Sequence, residues 1–194
     1  MKPAGGIPPA QAEVAAFLAR LAGAAPIETH ISAIFVGRDT AWKMKKAVAL
    51  GFLDFSSLAA RGHFCRRELE LNQPAAPGIY RDVVAITRAP DGQLQEGGDG
   101  PVLEWALRMA PIPAGDFLDA VAARGALDGR LLDALGDAVF ALHQAAPVVE
   151  GLDAPAAMAS VLGGNLRAAR NAGLPEDAIA PLEALLQAAL TSRA

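Results

Sequence analysis

The segment "THISAIFVGRDTAWKMKKAV", residues 29–48, decides the fold. Two β-rich runs flank the turn "GRD" at 37–39, and this pattern predicts a β-hairpin. Successive side chains of a strand point to opposite faces, so we expect Trp42 and Met44 on the buried face. Lys43 then belongs to the other face of the second strand.

The lysines of this hairpin are unusual for the chain. Residues 43–46 contain three of its four lysines, although Lys and Arg together number 17. Lys43 follows Ala41 on one strand face, which is the geometry of the Val-Ala-Ile-Lys strand whose lysine pairs with nucleotide phosphates in protein kinases. A compact ammonium suits a phosphate cradle better than a guanidinium fork. The alternative is a set of solvated lysines that discourage pairing at a sheet edge.

Helices and strands are predicted on both sides of the hairpin. Ser56 or Ser57 is suited to cap the helix that follows it. Residues 27–109 then have the order β-β-α-β-β. The flanking elements are a helix over 10–23, a helix over 56–74 and strands over 81–89 and 101–109.

The chain becomes helical after the segment "APIP" at 110–113, with helices predicted over 115–124, 128–145, 155–171 and 176–192. A small antiparallel sheet with one helix, followed by a group of helices, is an α+β arrangement with segregated elements. We therefore divide the chain into an N-terminal helical lead (1–25), a sheet-containing lobe (26–110) and a helical part (111–194).

A carboxylate on the helix after the hairpin is expected to pair with Lys43. Helical spacing places Glu68 on a largely apolar stripe with Phe64, Cys65 and Leu71, and we expect this stripe to face the sheet. A carboxylate there is costly unless it meets a cation, and Lys43 is the cation available, with Lys45 in reserve. Glu70 follows Arg66 and Arg67 by four and three residues and is better explained as a solvated ion-pair partner. The alternative is that Glu68 simply sits at the edge of the stripe.

The motifs "ETHIS", "WKMKKAV", "GFLDFS" and "ELELN" within residues 27–88 resemble bacterial aminoglycoside-phosphotransferase-like proteins, which are often fused to a P-loop ATPase domain. The likeness continues more weakly through "WALRMAPIP" and "FALHQAAPV" to about residue 148. The resemblance implies a protein-kinase-like fold, with a sheet lobe, a hinge and a partial helical C-lobe. It also implies ATP with Mg²⁺ as phosphate donor and a small-molecule phosphate acceptor.

The resemblance also implies roles for individual residues. Lys43 would contact phosphate and Glu68 would hold it from the helix. Backbone groups of Met109 and Ala110 would meet adenine at the hinge. The side chains of Thr29, His30 and Ser32 stand where kinases carry a glycine-rich loop, and they would cap the phosphates; an ordinary strand start is the alternative.

The chain departs from the kinase pattern in its catalytic motifs. Phosphoryl transfer in this fold uses a catalytic-loop aspartate and metal-binding residues. None of the histidines His30, His63 and His143 is followed by Gly-Asp, and Asp54 of "GFLDFS" is better explained as a turn residue. We therefore assign no catalytic and no metal-binding residue to the chain. Magnesium ligands are expected outside it, either because the domain is truncated or because it has diverged into a non-catalytic form.

The composition narrows the range of possible binding partners and of cellular compartments. A formal net charge of −4 favours neither nucleic acid nor an anionic membrane. A single cysteine, Cys65, permits no internal disulfide, and the N-terminus lacks a signal-peptide pattern. We expect a cytoplasmic protein without a membrane span.

Three classes of function remain open. The first is the ATP-binding portion of a small-molecule phosphotransferase, incomplete for catalysis as given. The second is a non-catalytic nucleotide-binding or interaction module of the pseudokinase kind. The third is an unrelated α+β binding domain in which Lys43 and Glu68 are ordinary surface residues.

Overall fold

The computed structural model describes residues 5–191 and has the expected α+β architecture, with a small antiparallel sheet and several helices. The strands are β1 (Ile27–Glu28), β2 (Ser32–Val36), β3 (Ala41–Lys45), β4 (Ala49–Leu50), β5 (Leu53–Asp54), β6 (Tyr80–Arg88), β7 (Leu94–Glu96) and β8 (Val102–Met109). The main sheet has six strands in the order β1-β2-β3-β8-β6-β7, and β4 and β5 form a separate two-stranded ribbon.

Six α-helices accompany the strands among the described residues. They are α1 (Ala12–Ala22), α2 (Leu58–Asn72), α3 (Leu118–Ala123), α4 (Gly129–Ala145), α5 (Ala154–Asn171) and α6 (Glu176–Thr191). Helix α2 begins at the predicted serine cap, because the Ser57 side chain accepts a hydrogen bond from the Ala60 amide. The predicted hairpin and the two predicted strands after α2 are confirmed as β2, β3, β6 and β8, and β7 is an additional short strand between the last two.

The register of the hairpin determines which side chains lie on which face of the sheet. Strands β2 and β3 pair antiparallel, with Ile34 opposite Lys43 and Phe35 opposite Trp42. Directly opposed side chains share a face, so Phe35 and Trp42 lie on one face and Lys43 lies on the other. Trp42 and Met44 are buried, as the strand alternation predicts.

Helix α1 covers the Trp42 face of the sheet. Its buried residues Val14, Ala15 and Leu18 join the hydrophobic core formed with the strands. The strand residues of this core are Ala33, Phe35, Trp42, Met44, Ile86 and Ala106. Helix α1, which falls within the predicted N-terminal lead, is therefore an integral layer of the sheet-containing unit.

Helix α2 covers the opposite face, and a glycine permits its close approach. A Cβ added at Gly62 would lie 2.6 Å from Nε1 of Trp105 on β8, which is closer than real contacts allow. The guanidinium of Arg66 then stacks 4.3 Å from the centre of the same indole ring. The small residue sets the distance from the helix to the sheet, and with it the position of every side chain on the inner face of α2.

The described chain divides into two compact units. The first contains the described residues up to 49 together with 54–144, and the second contains 50–53 together with the described residues from 145. This division does not coincide with the predicted boundary at 110/111, which stays a prediction. Within the second unit, α5 and α6 pack through the buried residues Leu166 and Ile179. Across the described residues, none of the helices combines the length and apolar character of a membrane span.

Candidate functional site

Two lysines of β3 converge on one glutamate of α2. The Lys43 ammonium lies 2.6 Å from Oε1 of Glu68, and the Lys45 ammonium lies 2.8 Å from Oε2. The predicted contact between Lys43 and Glu68 is confirmed, and Lys45, the reserve candidate, contacts the same carboxylate. Glu70 forms the expected solvated pair with Arg67 at 2.8 Å.

The two ammonium groups keep Glu68 ionised. Burial by itself would raise the pKa of this carboxyl, but the hydrogen bonds and charges of Lys43 and Lys45 outweigh burial and hold the pKa below its ordinary value. The two lysines carry one positive charge more than the carboxylate neutralises. Glu104, which also acts on the neighbouring Cys65 thiol, is already paired with Arg61 at 2.9 Å. The cluster therefore presents an excess of positive charge on the α2 side of the sheet.

The inner face of α2 differs from the stripe expected from the sequence. Phe64 and Leu71 are 40% and 57% exposed, so the prediction that they face the sheet is wrong. The residues that do so are Arg61, Gly62 and Cys65. Because α2 packs so closely on the indole of Trp105, only small residues fit at the contact itself. The large apolar residues Phe64 and Leu71 therefore lie on the flanks of the helix. Burial raises the pKa of the Cys65 thiol to about 11.

Apolar side chains adjoin the lysines on the same sheet face. Ile34 is paired with Lys43, Val36 with Ala41, and Ala41 with Met109 on its other side. Ala41 is buried, whereas Ile34, Val36 and Met109 are only half-buried. This face thus combines a charged end at the lysines with a partly exposed apolar end at Met109.

The segment "ETHIS" forms a turn whose threonine hydroxyl is occupied. Thr29 Oγ1 accepts hydrogen bonds from the amides of Ser32 (3.0 Å) and Ile31 (3.4 Å). His30 is exposed, and Ser32 is buried on β2, directly opposite Lys45. Of the three predicted phosphate-capping residues, the structure brings only Ser32 into register with the lysine cluster. The Thr29 hydroxyl stabilises the turn.

Lys46, on the other face, anchors this turn. Its ammonium is fully buried and contacts Glu28 Oε2 at 2.7 Å and the Thr29 carbonyl oxygen at 2.8 Å. The three lysines of the hairpin therefore have two functions: Lys43 and Lys45 contact the helix glutamate, and Lys46 contacts the segment before β2. Lysine suits these positions because a compact ammonium lets Lys43 and Lys45 share one carboxylate and lets Lys46 reach both Glu28 and the Thr29 carbonyl oxygen.

The predicted hinge residues lie at the end of β8. Met109 pairs with Ala41 of β3 and Tyr80 of β6. The Ala110 amide donates a hydrogen bond to the carbonyl oxygen of Ile79 at 2.8 Å. This amide is therefore not available to a bound base. Met109 remains placed beside the apolar end of the Lys43 face.

A buried polar network was not anticipated from the sequence. Glu104 of β8 accepts hydrogen bonds from Arg61 Nε (2.9 Å) and Gln11 Nε2 (2.6 Å). Arg61 also donates to the carbonyl oxygens of Phe55 and Ser56, and Gln11 to that of Lys45. The only sequence signal was a glutamate within the otherwise apolar run "PVLEWAL", which requires a buried partner that spacing alone does not identify.

Comparisons with known proteins add no relatives. No family model matches the chain, and no curated protein and no solved structure matches it significantly. Within residues 5–191, no group of three or more His, Cys, Asp or Glu residues is arranged to hold a metal ion. The resemblance to phosphotransferases therefore stays an expectation from the motifs, and the geometry of the lysine cluster is the observation on which a function can be argued.

Proposed function

We propose that the chain binds ATP on the sheet face that carries Lys43, as the nucleotide-binding portion of a kinase-like small-molecule phosphotransferase. The observation that carries this proposal is the ion pair of Lys43 with Glu68 at 2.6 Å, between a strand and the helix packed on it. In kinase-like enzymes such a pair aligns the phosphates of the nucleotide.

The side chains on this sheet face suit both the phosphates and the base of ATP. The excess positive charge of Lys43 and Lys45 suits a triphosphate, which prefers charge-assisted hydrogen bonds. The half-buried side chains of Ile34, Val36 and Met109 offer an apolar surface to a base. When bound, ATP would supply the γ-phosphoryl group that the parent enzyme transfers to a hydroxyl of a small acceptor. The proposal assigns no magnesium ligand to the described residues.

A binding titration with MgATP tests this proposal. Lys43→Met removes one charge-assisted contact, so we expect about tenfold to hundredfold weaker binding. Arg67→Met removes a charge from the exposed side of α2 and serves as the matched control, with unchanged affinity expected. Absence of saturable binding by the wild-type chain, or equal affinities for the wild type and Lys43→Met, would contradict the proposal.

A transfer assay separates the enzyme portion from a non-catalytic module. We expect no transfer of labelled γ-phosphate by this chain alone to aminoglycosides or sugars, because none of its motifs supplies the catalytic aspartate. The assay is then repeated with the remainder of a parent protein, either fused in frame or added as a separate P-loop-containing partner. Phosphate transfer in this mixture would favour the phosphotransferase. Binding without transfer in any such context would favour the pseudokinase-like module.

A further inference from the structure

The two lysines that share Glu68 differ in their surroundings. The Lys43 side chain is 26% exposed, whereas that of Lys45 is 7% exposed. The Lys45 ammonium also lies 5.0 Å from the centre of the Phe55 ring, and the Lys45 carbonyl oxygen accepts a hydrogen bond from Gln11 at 2.8 Å. Lys45 is therefore enclosed at both its backbone and its ammonium, and Lys43 is the lysine that reaches solvent.

A single lysine that served both a helix glutamate and a phosphate would have to divide its donors between them. Here Glu68 has two oxygen atoms and a separate ammonium on each. If Lys43 turned toward an anion, Glu68 would still be neutralised by Lys45 and would not be left as an unpaired, partly buried charge.

We propose that Lys45 is a positioning residue that keeps Glu68 and helix α2 against the sheet while Lys43 binds phosphate. The phosphate role of Lys43 rests on the proposed function, whereas the holding role of Lys45 does not. Removal of Lys45 should therefore loosen α2, and removal of Lys43 should weaken phosphate binding without loosening it.

Cys65 provides a built-in reporter of the position of α2. It is the only cysteine of the chain and is 1% exposed on the inner face of the helix. Its thiol is influenced by the charges of Lys45, Glu68 and Lys43, which places it beside the cluster. Alkylation of this thiol requires local opening, so its rate measures how often α2 leaves the sheet.

The first experiment measures the alkylation rate of Cys65 by iodoacetamide in the full chain at fixed pH, without nucleotide. We expect about tenfold faster labelling in Lys45→Met and a change of at most about twofold in Lys43→Met, in line with one lost holding contact. Arg67→Met is the control for loss of a positive charge. Equal acceleration by the two lysine variants, or none in Lys45→Met, would overturn the proposal.

Glu68→Gln keeps the test decisive if Lys45→Met does not fold. This variant weakens both contacts, so faster labelling in Glu68→Gln together with slow labelling in Lys43→Met assigns the holding contact to Lys45. Slow labelling in both variants would show that neither contact holds the helix and would overturn the proposal.

The second experiment repeats the labelling with saturating MgATP and, separately, with inorganic pyrophosphate. We expect the wild-type rate to stay slow, because Lys45 retains Glu68 when Lys43 is engaged. A rise of about tenfold on binding would mean that α2 is released with Lys43, which contradicts the proposal. If the wild type binds neither probe, the proposed function and the phosphate role of Lys43 fail together, and the labelling order of the variants still decides the role of Lys45.

Discussion

The indole ring of Trp105 lies against the backbone of Gly62, so that the closest approach of α2 to the sheet is made where the helix has no side chain. This contact brings Glu68, six residues further along the helix, within reach of Lys43 and Lys45. The packing of a strand tryptophan on a helix glycine is thus a structural precondition of the charged cluster.

Gly62→Ala should destabilise the protein. Its Cβ would lie 2.6 Å from Trp105 Nε1, and relief of this clash should cost roughly 1–3 kcal/mol of unfolding free energy. Gly136→Ala in α4 is the matched control, because nothing lies within 4 Å of an added Cβ there. The free energy of unfolding of this control should rise by about 0.5–1 kcal/mol, because alanine has the higher helix propensity. Thermal denaturation checks both signs, and a stabilised Gly62→Ala variant would contradict the contact.

Glu68 should make stability depend on pH in the acid range. Its pKa is lower in the folded chain than its ordinary value of about 4.3 in the unfolded chain. The carboxylate therefore contributes stability that is present above the unfolded pKa and is lost as pH falls through the folded pKa. Urea unfolding between neutral pH and about pH 3 should show a smaller acid loss in Glu68→Gln than in the wild type.

Glu70→Gln is the control for that experiment, since Glu70 lies on the same helix in an exposed pair with Arg67. It should leave the acid loss of stability unchanged. Identical pH profiles for the wild type and Glu68→Gln would show that the lysines do not stabilise the ionised form of Glu68.

The buried pair of Arg61 and Glu104 should be costly to break from one side. Glu104→Gln leaves the Arg61 charge without its carboxylate in a buried position, which should cost about 3–5 kcal/mol. Glu13→Gln, which removes one partner of the exposed pair with Arg88, should change stability only slightly. Urea denaturation of both variants gives the comparison. Equal, small losses would mean that the buried network contributes no more than a surface pair.

Helix α4 should promote self-association. It buries no residue, and its apolar side chains Leu132, Leu135, Val139, Phe140 and Leu142 are between 39% and 64% exposed. Exposed apolar stripes of this kind favour association or poor solubility. Light scattering after size exclusion should show oligomers that decrease in the double variant Leu135→Ser with Val139→Ser. Ala134→Ser is the control, and a monodisperse wild-type monomer at high concentration would contradict this prediction.

The sequence alone was sufficient to predict features that depend on residues close together in the chain. The turn "GRD" and the alternation of Trp42 and Met44 predicted the hairpin and its buried face, because strand geometry leaves only two faces. The pair Ser56 and Ser57 predicted the start of α2, because a helix end needs an acceptor for its free amides, and the structure selects Ser57. Glu68 was matched with Lys43 because an inward carboxylate on a helix requires a cation from the neighbouring strand.

Only the tertiary structure revealed the contacts that depend on how closely helices and strands approach one another. The stripe containing Phe64 and Leu71 was misassigned, because the pattern of apolar residues on α2 does not reveal that Gly62 brings the helix onto Trp105. The network of Arg61, Glu104 and Gln11 joins residues up to 93 positions apart, and no local pattern specifies such a pairing. Sequence thus determined which elements form and which charges need partners, whereas packing determined which partners they meet, because a buried charge pairs with whatever group the fold brings within hydrogen-bond distance.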